Sequence, residues 1–257
     1  MGNLIWVEFR KMRCYWVTWA VGLFFLGHSV YIALQDAYAA GLVRYPALEY
    51  VTFLYGIARM LSIVTLFLTA YVIAEDFSMR TVQNVFAAGI ARGKYYFARL
   101  LSQMIFIFTL YSAGFIAYIA TRILSTGKIN NQMPAGEFLA IFVVMALQPL
   151  AYAAFATMVS VFGKNQAVSV VASESWLFFS IVLRLYSIEG IPGKTANAYV
   201  GPIAYEPLTV LERFMDDYVI PGRVLTFGFF QCGLSALLII IVSSLIGYAH
   251  LRRSDVR

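Results

Sequence analysis

The chain has 257 residues, of which 61% are hydrophobic and only 12% charged, with a net charge of +6. Soluble domains carry about 25% charged residues and bury a core of this size with fewer apolar side chains, so the surplus is read as an outer surface facing lipid. The positive charge does not point to nucleic acid, because the basic residues sit at the ends of apolar runs and form no stripe.

The first 14 residues, MGNLIWVEFRKMRC, mix Leu4, Ile5, Trp6, Val7, Phe9 and Met12 with Glu8, Arg10, Lys11 and Arg13. This composition fits a helix lying in the membrane interface, with a frayed extension of the first span as the alternative. Six apolar runs follow: Tyr15–Leu34, Phe53–Ala74, Phe97–Ile119, Phe138–Val161, Ala167–Leu185 and Leu225–Tyr248. Each is near the ~20 residues needed to cross the hydrocarbon layer. The fifth is the most polar, with Ser169, Ser173, Glu174, Ser175 and Ser180, and Gly163–Lys164–Asn165–Gln166 makes a tight turn before it. No strand-like alternation competes, so a barrel is excluded. The first run is too long for a signal peptide, and Ala39-Ala40-Gly41 comes too late to be its cleavage site.

Basic residues set the expected orientation. With both termini on one side, that side receives eleven of the 19 lysines and arginines and the other receives seven, with Arg59 inside a span. Both termini are therefore expected in the cytoplasm. On the outer side, residues 186–224 form the longest connection, punctuated by Gly190, Pro192, Gly193, Pro202 and Pro221. Within it Leu208, Leu211, Met215 and Tyr218 recur at helical spacing, predicting an amphipathic helix over Leu208–Val219 or an ordinary loop helix. On the inner side, Glu75–Tyr96 is polar enough to leave the hydrocarbon. Ser78 can cap a short helix there, Val82, Val85 and Phe86 give it an apolar face, and Gly89 can end it.

Recognisable chemistry is absent from the sequence. Gly190-Ile191-Pro192-Gly193-Lys194-Thr195 imitates a phosphate loop, but the required upstream glycine is replaced by Ile188. There is no zinc-protease pair or nucleophile elbow, and His28, His250, Cys14 and Cys232 are too scattered for a metal centre or disulfide framework. No cofactor and no catalytic residue is expected in this chain. Two ionisable groups fall inside spans, where charge is costly. Arg59 lies about 9 Å below the outer end of the second span and Glu174 about 10 Å above the inner end of the fifth, at about 1.5 Å per residue. Each is a candidate for a translocation path. Arg59 has snorkelling to the headgroups as its alternative, and Glu174 a structural hydrogen bond.

The order of these features resembles the membrane subunit of type 2 ATP-binding-cassette exporters, in the bacterial subclass with separate permease and ATPase chains. The residues that carry the resemblance are Glu75 or Asp76 at the inner end of span two, Thr81, Val85 and Phe86, Ala91-Arg92, and Lys94 or Arg99 at the start of span three. Arg80 stands where the family often has glycine. Glu8-Phe9-Arg10-Lys11 before the first span and the basic tail Leu251–Val256 after the last also match. The resemblance implies a single all-α transmembrane domain over 1–257 with six spans, an interfacial helix at 1–14, a cytoplasmic coupling segment at 75–96 and an extracellular loop at 186–224. It implies contact with cytoplasmic ABC ATPase subunits through Glu75, Asp76, Arg80, Thr81, Val85, Phe86 and Arg92, with ATP and Mg bound on those subunits. It further implies a second permease chain, identical or homologous, and a hydrophobic or amphipathic substrate exported across the bacterial cytoplasmic membrane. A secondary transporter, a membrane enzyme, or a non-transporting sensor or assembly protein are the competing expectations.

Overall fold

In the computed structural model the structure describes residues 2–39, 46–126, 134–189 and 229–254. Among them the chain is entirely helical: α1 (Gly2–Cys14), α2 (Trp16–Ala39), α3 (Pro46–Ser78), α4 (Thr81–Ala87), α5 (Arg92–Thr126), α6 (Ala135–Gly163), α7 (Gln166–Glu189) and α8 (Phe229–Arg253). Five helices are long and apolar enough to cross a membrane, over Trp16–Tyr38, Tyr50–Ser78, Arg92–Thr126, Ala135–Gly163 and Phe230–Arg253. The protein is a multi-span membrane protein. The fifth expected run falls on α7, a continuous helix of 24 residues that is not among those five and carries Ser169, Ser173 and Glu174. The outer helix expected over Leu208–Val219 lies outside the described residues.

The polarity pattern is that of a protein solvated by lipid. Leu124 is 87% exposed and Phe230 76%, whereas Arg99 is 1% exposed. Apolar groups outside and a charge inside reverse the arrangement of a water-soluble fold. The central element is α3, with 67% of its apolar window buried, against 22% for α2 at the periphery. Packed against α3 and α8 is α6; α7 leans on α3, α2 runs along α5, and α1 lies across the start of α5. Ala146, Ala151, Ala153, Ala154 and Ala156 are all buried in α6, where small side chains let backbones approach. Where α2 and α3 meet α5, a Cβ on Gly114 would stand 3.0 Å from the Ser29 hydroxyl oxygen and 3.2 Å from Ile57 Cδ1.

Two turns follow their sequence signals. Gly89 has φ +80°, and the amides of Gly89 and Ile90 donate to the carbonyls of Phe86 and Val85, closing α4 with a Schellman motif. At the other turn Lys164 is left-handed (φ 48°) and the Asn165 side chain accepts from the amides of Ala167 and Val168, capping α7. The start of α4 departs from expectation. Ser78 does not cap it, because its hydroxyl donates back to the Ala74 carbonyl within α3. Instead α3 runs on through Glu75 and Asp76, and Arg80, left-handed at φ 57°, precedes α4 without a side-chain cap.

Candidate functional site

Where α1 meets the C-terminal end of α3 and the N-terminal part of α5, four charged side chains close on one another. Arg99, about two turns inside α5, pairs with Glu8 of α1 through Nη1 and with Asp76 of α3 through Nη2 at 2.7 Å. The same Nη2 donates to the Val72 carbonyl at 2.9 Å. Lys11 bridges both acids from the membrane-surface side, 3.4 Å from Glu8 and 3.6 Å from Asp76. Glu8, Asp76 and Arg99 are all at most 3% exposed. Two carboxylates and two cations make the cluster neutral, which is how buried charge is tolerated. The Tyr95 hydroxyl donates to Asp76 at 3.3 Å. Tyr15, at the break between α1 and α2, faces Glu75 and Asp76; burial first, and then those two negative charges, push its phenol up to about 12. It therefore keeps its proton at physiological pH and serves as a donor.

Next to this junction α4 packs on the same assembly. Val82 is fully buried, and Val85 and Phe86 pack with Tyr95, Tyr96, Leu100 and Leu251. The Phe86 ring meets Tyr95 edge-on at 5.6 Å. Arg92 closes the unit from the other side: its Nη1 donates to the carbonyls of Leu251, Arg252 and Ser254 at 3.3, 2.9 and 2.8 Å, and its guanidinium stands 5.7 Å from the Phe86 ring centre. A cation on the last carbonyls of α8 satisfies acceptors that the helix itself cannot. Tyr96 adds a second tie, donating to the Ser243 carbonyl at 3.4 Å, and a Cβ at Gly247 would collide with the Tyr96 hydroxyl.

The residues singled out for a partner contact thus divide. Asp76 is buried in the charge cluster, and Val85, Phe86 and Arg92 are engaged within the chain. Glu75 and Thr81 are half-buried. Met79, Arg80 and Asn84 stand out as the exposed edge. Three of the four participants are not candidate site residues in the sequence: Glu8 and Lys11 enter there only as part of the stretch before the first span, and Arg99 only as an alternative to Lys94. Part of the signal was available: Glu8 and Lys11 are three residues apart and share a face of α1.

Further polar side chains are buried on α3 and α7. Thr65 and Thr69 of α3 and Ser169 and Ser173 of α7 are fully buried at helical spacing on helices that pack together. Their hydroxyls, with Tyr152 Oη of α6, have no hydrogen-bond partner among the described residues. Glu174, next to Ser173 in α7, is half-buried, and its Oε1 likewise has no partner among the described residues. Arg59 lies apart, exposed on α3 and donating to the Tyr55 hydroxyl at 3.4 Å. No group of three or more metal-ligating side chains gathers among the described residues.

No known family model matches the chain. Nor does any curated protein match it.

Proposed function

We propose that this chain is the permease subunit of an ATP-driven exporter, crossing the bacterial cytoplasmic membrane six times with α7 as the fifth span and both termini inside. The observation that carries the reading is the mechanical unit at the α1 end. The buried Glu8–Lys11–Asp76–Arg99 cluster and the Arg92 clamp tie α1, α3, α4, α5 and α8 together. A push on the exposed edge of α4 would thus reach four other helices at once, as a subunit that borrows its energy requires. The backbone at Arg80 supports the same reading. The exporter subunits it resembles often carry glycine there, and Arg80 holds the left-handed conformation that glycine favours. ATP and Mg would sit on separate cytoplasmic ATPase subunits. A second permease chain would complete the path, and the cargo would be a hydrophobic or amphipathic molecule.

The test is co-purification of the full-length chain from native membranes. An ATPase subunit is expected to accompany it and to be lost in Met79→Asp/Arg80→Glu, while the variant remains in the membrane. A stable chain that carries no ATPase in either form would sink the reading. A second reading, a gradient-driven carrier, is favoured by Glu174 beside the unpartnered hydroxyls of α3 and α7. It predicts cargo movement that follows a proton or sodium gradient and ignores ATP.

A further inference from the structure

A groove of about 270 Å³ opens on the lipid-facing side between α1, α2 and α5, at the α1 end of the bundle. Its walls are Met12, Leu23, Leu26, Phe106 and Leu110, and its volume is close to the ~300 Å³ at which small-ligand pockets begin. Gly22 leaves the recess open. A Cβ there would meet only Leu110 Cδ2, at an ordinary 3.7 Å, so close helix packing does not demand the glycine. From Thr18 to Leu26 the groove follows α2 for about 12 Å into the hydrocarbon.

One end of the groove is polar. Arg13, exposed in the last turn of α1, stands at the rim, and the Trp19 indole donates to the Arg13 carbonyl at 2.7 Å, fixing the corner between α1 and α2. Thr18, 7% exposed, also lines the groove, and its hydroxyl has no hydrogen-bond partner. Going inward, a ligand meets a cation, then the Thr18 wall, then an apolar channel. That is the order of groups along a phospholipid with a negatively charged headgroup: phosphate, glycerol ester, acyl chain.

We infer that this groove is a binding site for an anionic phospholipid of the leaflet at the α1 end, with its phosphate on Arg13, its ester region against Thr18 and one acyl chain between α2 and α5. The inference rests on the chain spanning a membrane, not on its being a transporter. If α1 is cytoplasmic, this is the leaflet in which anionic lipids are concentrated.

Trp19 is a built-in reporter. The full-length chain with Trp6, Trp16 and Trp176 replaced by Phe is reconstituted into phosphatidylcholine vesicles containing brominated phosphatidylglycerol or, separately, brominated phosphatidylcholine. Brominated phosphatidylglycerol is expected to quench Trp19 with about fivefold preference, the scale set by one basic residue at the membrane surface. Arg13→Gln should abolish the preference, and Arg10→Gln, also exposed on α1, should keep it. Gly22→Leu should weaken quenching by both lipids. Helix content by circular dichroism checks that each variant is folded. Equal quenching by the two lipids overturns the site, as does a preference that survives Arg13→Gln. An equal loss in Arg10→Gln reduces the effect to the general charge of α1 and also overturns it. Shielding of Trp19 from both lipids would place a second copy of the chain or a transported molecule in the groove, and overturns it as well.

Discussion

The charged junction at the α1 end and the hydroxyl seam between α3, α6 and α7 are both buried and polar, yet they treat polarity oppositely. At the junction Glu8, Lys11, Asp76 and Arg99 neutralise one another, and Tyr95 and the Val72 carbonyl take up further hydrogen-bonding capacity. Among the described residues, Thr65, Thr69, Ser169, Ser173 and one oxygen of Glu174 in the seam are left without partners, whereas at the junction only Arg99 Nε and one oxygen of Glu75 are. Buried networks that are satisfied rigidify a structure, whereas unsatisfied groups cost free energy and persist where something else meets them. The comparison separates a part of the molecule held by paired charges from a part whose hydrogen-bonding groups are left open.

The sharpest way to break the contrast is at Arg99. Arg99→Met removes two ion pairs and leaves Glu8 and Asp76 buried with Lys11 alone, which should cost about 3–5 kcal/mol. Thermal unfolding in detergent reads the loss. Adding Glu8→Gln and Asp76→Asn should restore part of it, and no restoration would mean that the charges are not what couples α1 to α3 and α5. Next in size is Gly247→Leu, which forces a side chain into Tyr96; overpacking should cost about 1–3 kcal/mol and separate α5 from α8. Arg92→Ala should cost about 1 kcal/mol, since the guanidinium is only half-buried. Its signature is local: faster amide exchange at the end of α8, with the core of α3 unchanged.

The seam predicts the opposite sign. Thr65→Val/Thr69→Val deletes two unpartnered hydroxyls at nearly constant volume, so stability should hold or rise by about 1 kcal/mol while movement of the proposed cargo falls. Destabilisation would show that these hydroxyls are satisfied in the membrane and that the contrast with the junction is false. The smallest effect is expected for Arg80→Gly, which relieves a left-handed arginine at the cost of a more flexible unfolded chain. A shift in Tm within about 1 kcal/mol equivalent is expected, with binding of the proposed ATPase subunit retained.

Much of the architecture was legible beforehand. Gly89 and Asn165 announced the turns they make, because a positive φ or a side-chain cap is a local property that few residues meet. The extension of α3 through Glu75 and Asp76 was not legible, since two acids at the end of an apolar run read as an exit from the membrane. They remain helical because Arg99 and Lys11 neutralise Asp76 and Tyr15 stands against Glu75. A short helix within Glu75–Tyr96 was legible and is present as α4, but which of its residues face outward could not be read. Val85 and Phe86 look like a docking face until Tyr95, Tyr96 and Leu251 are seen beneath them.

By itself the sequence determined the solvent and the elements: long apolar runs demand lipid, and in lipid the backbone must satisfy itself as helix. Tertiary structure alone decided the pairings, bringing Glu8 to Arg99 across 91 residues of chain and leaving Thr18, Thr65 and Ser173 without partners. The reason is that helices apolar on every side carry little periodic signal for which faces meet. The few polar groups acquire their meaning only once those faces are in contact.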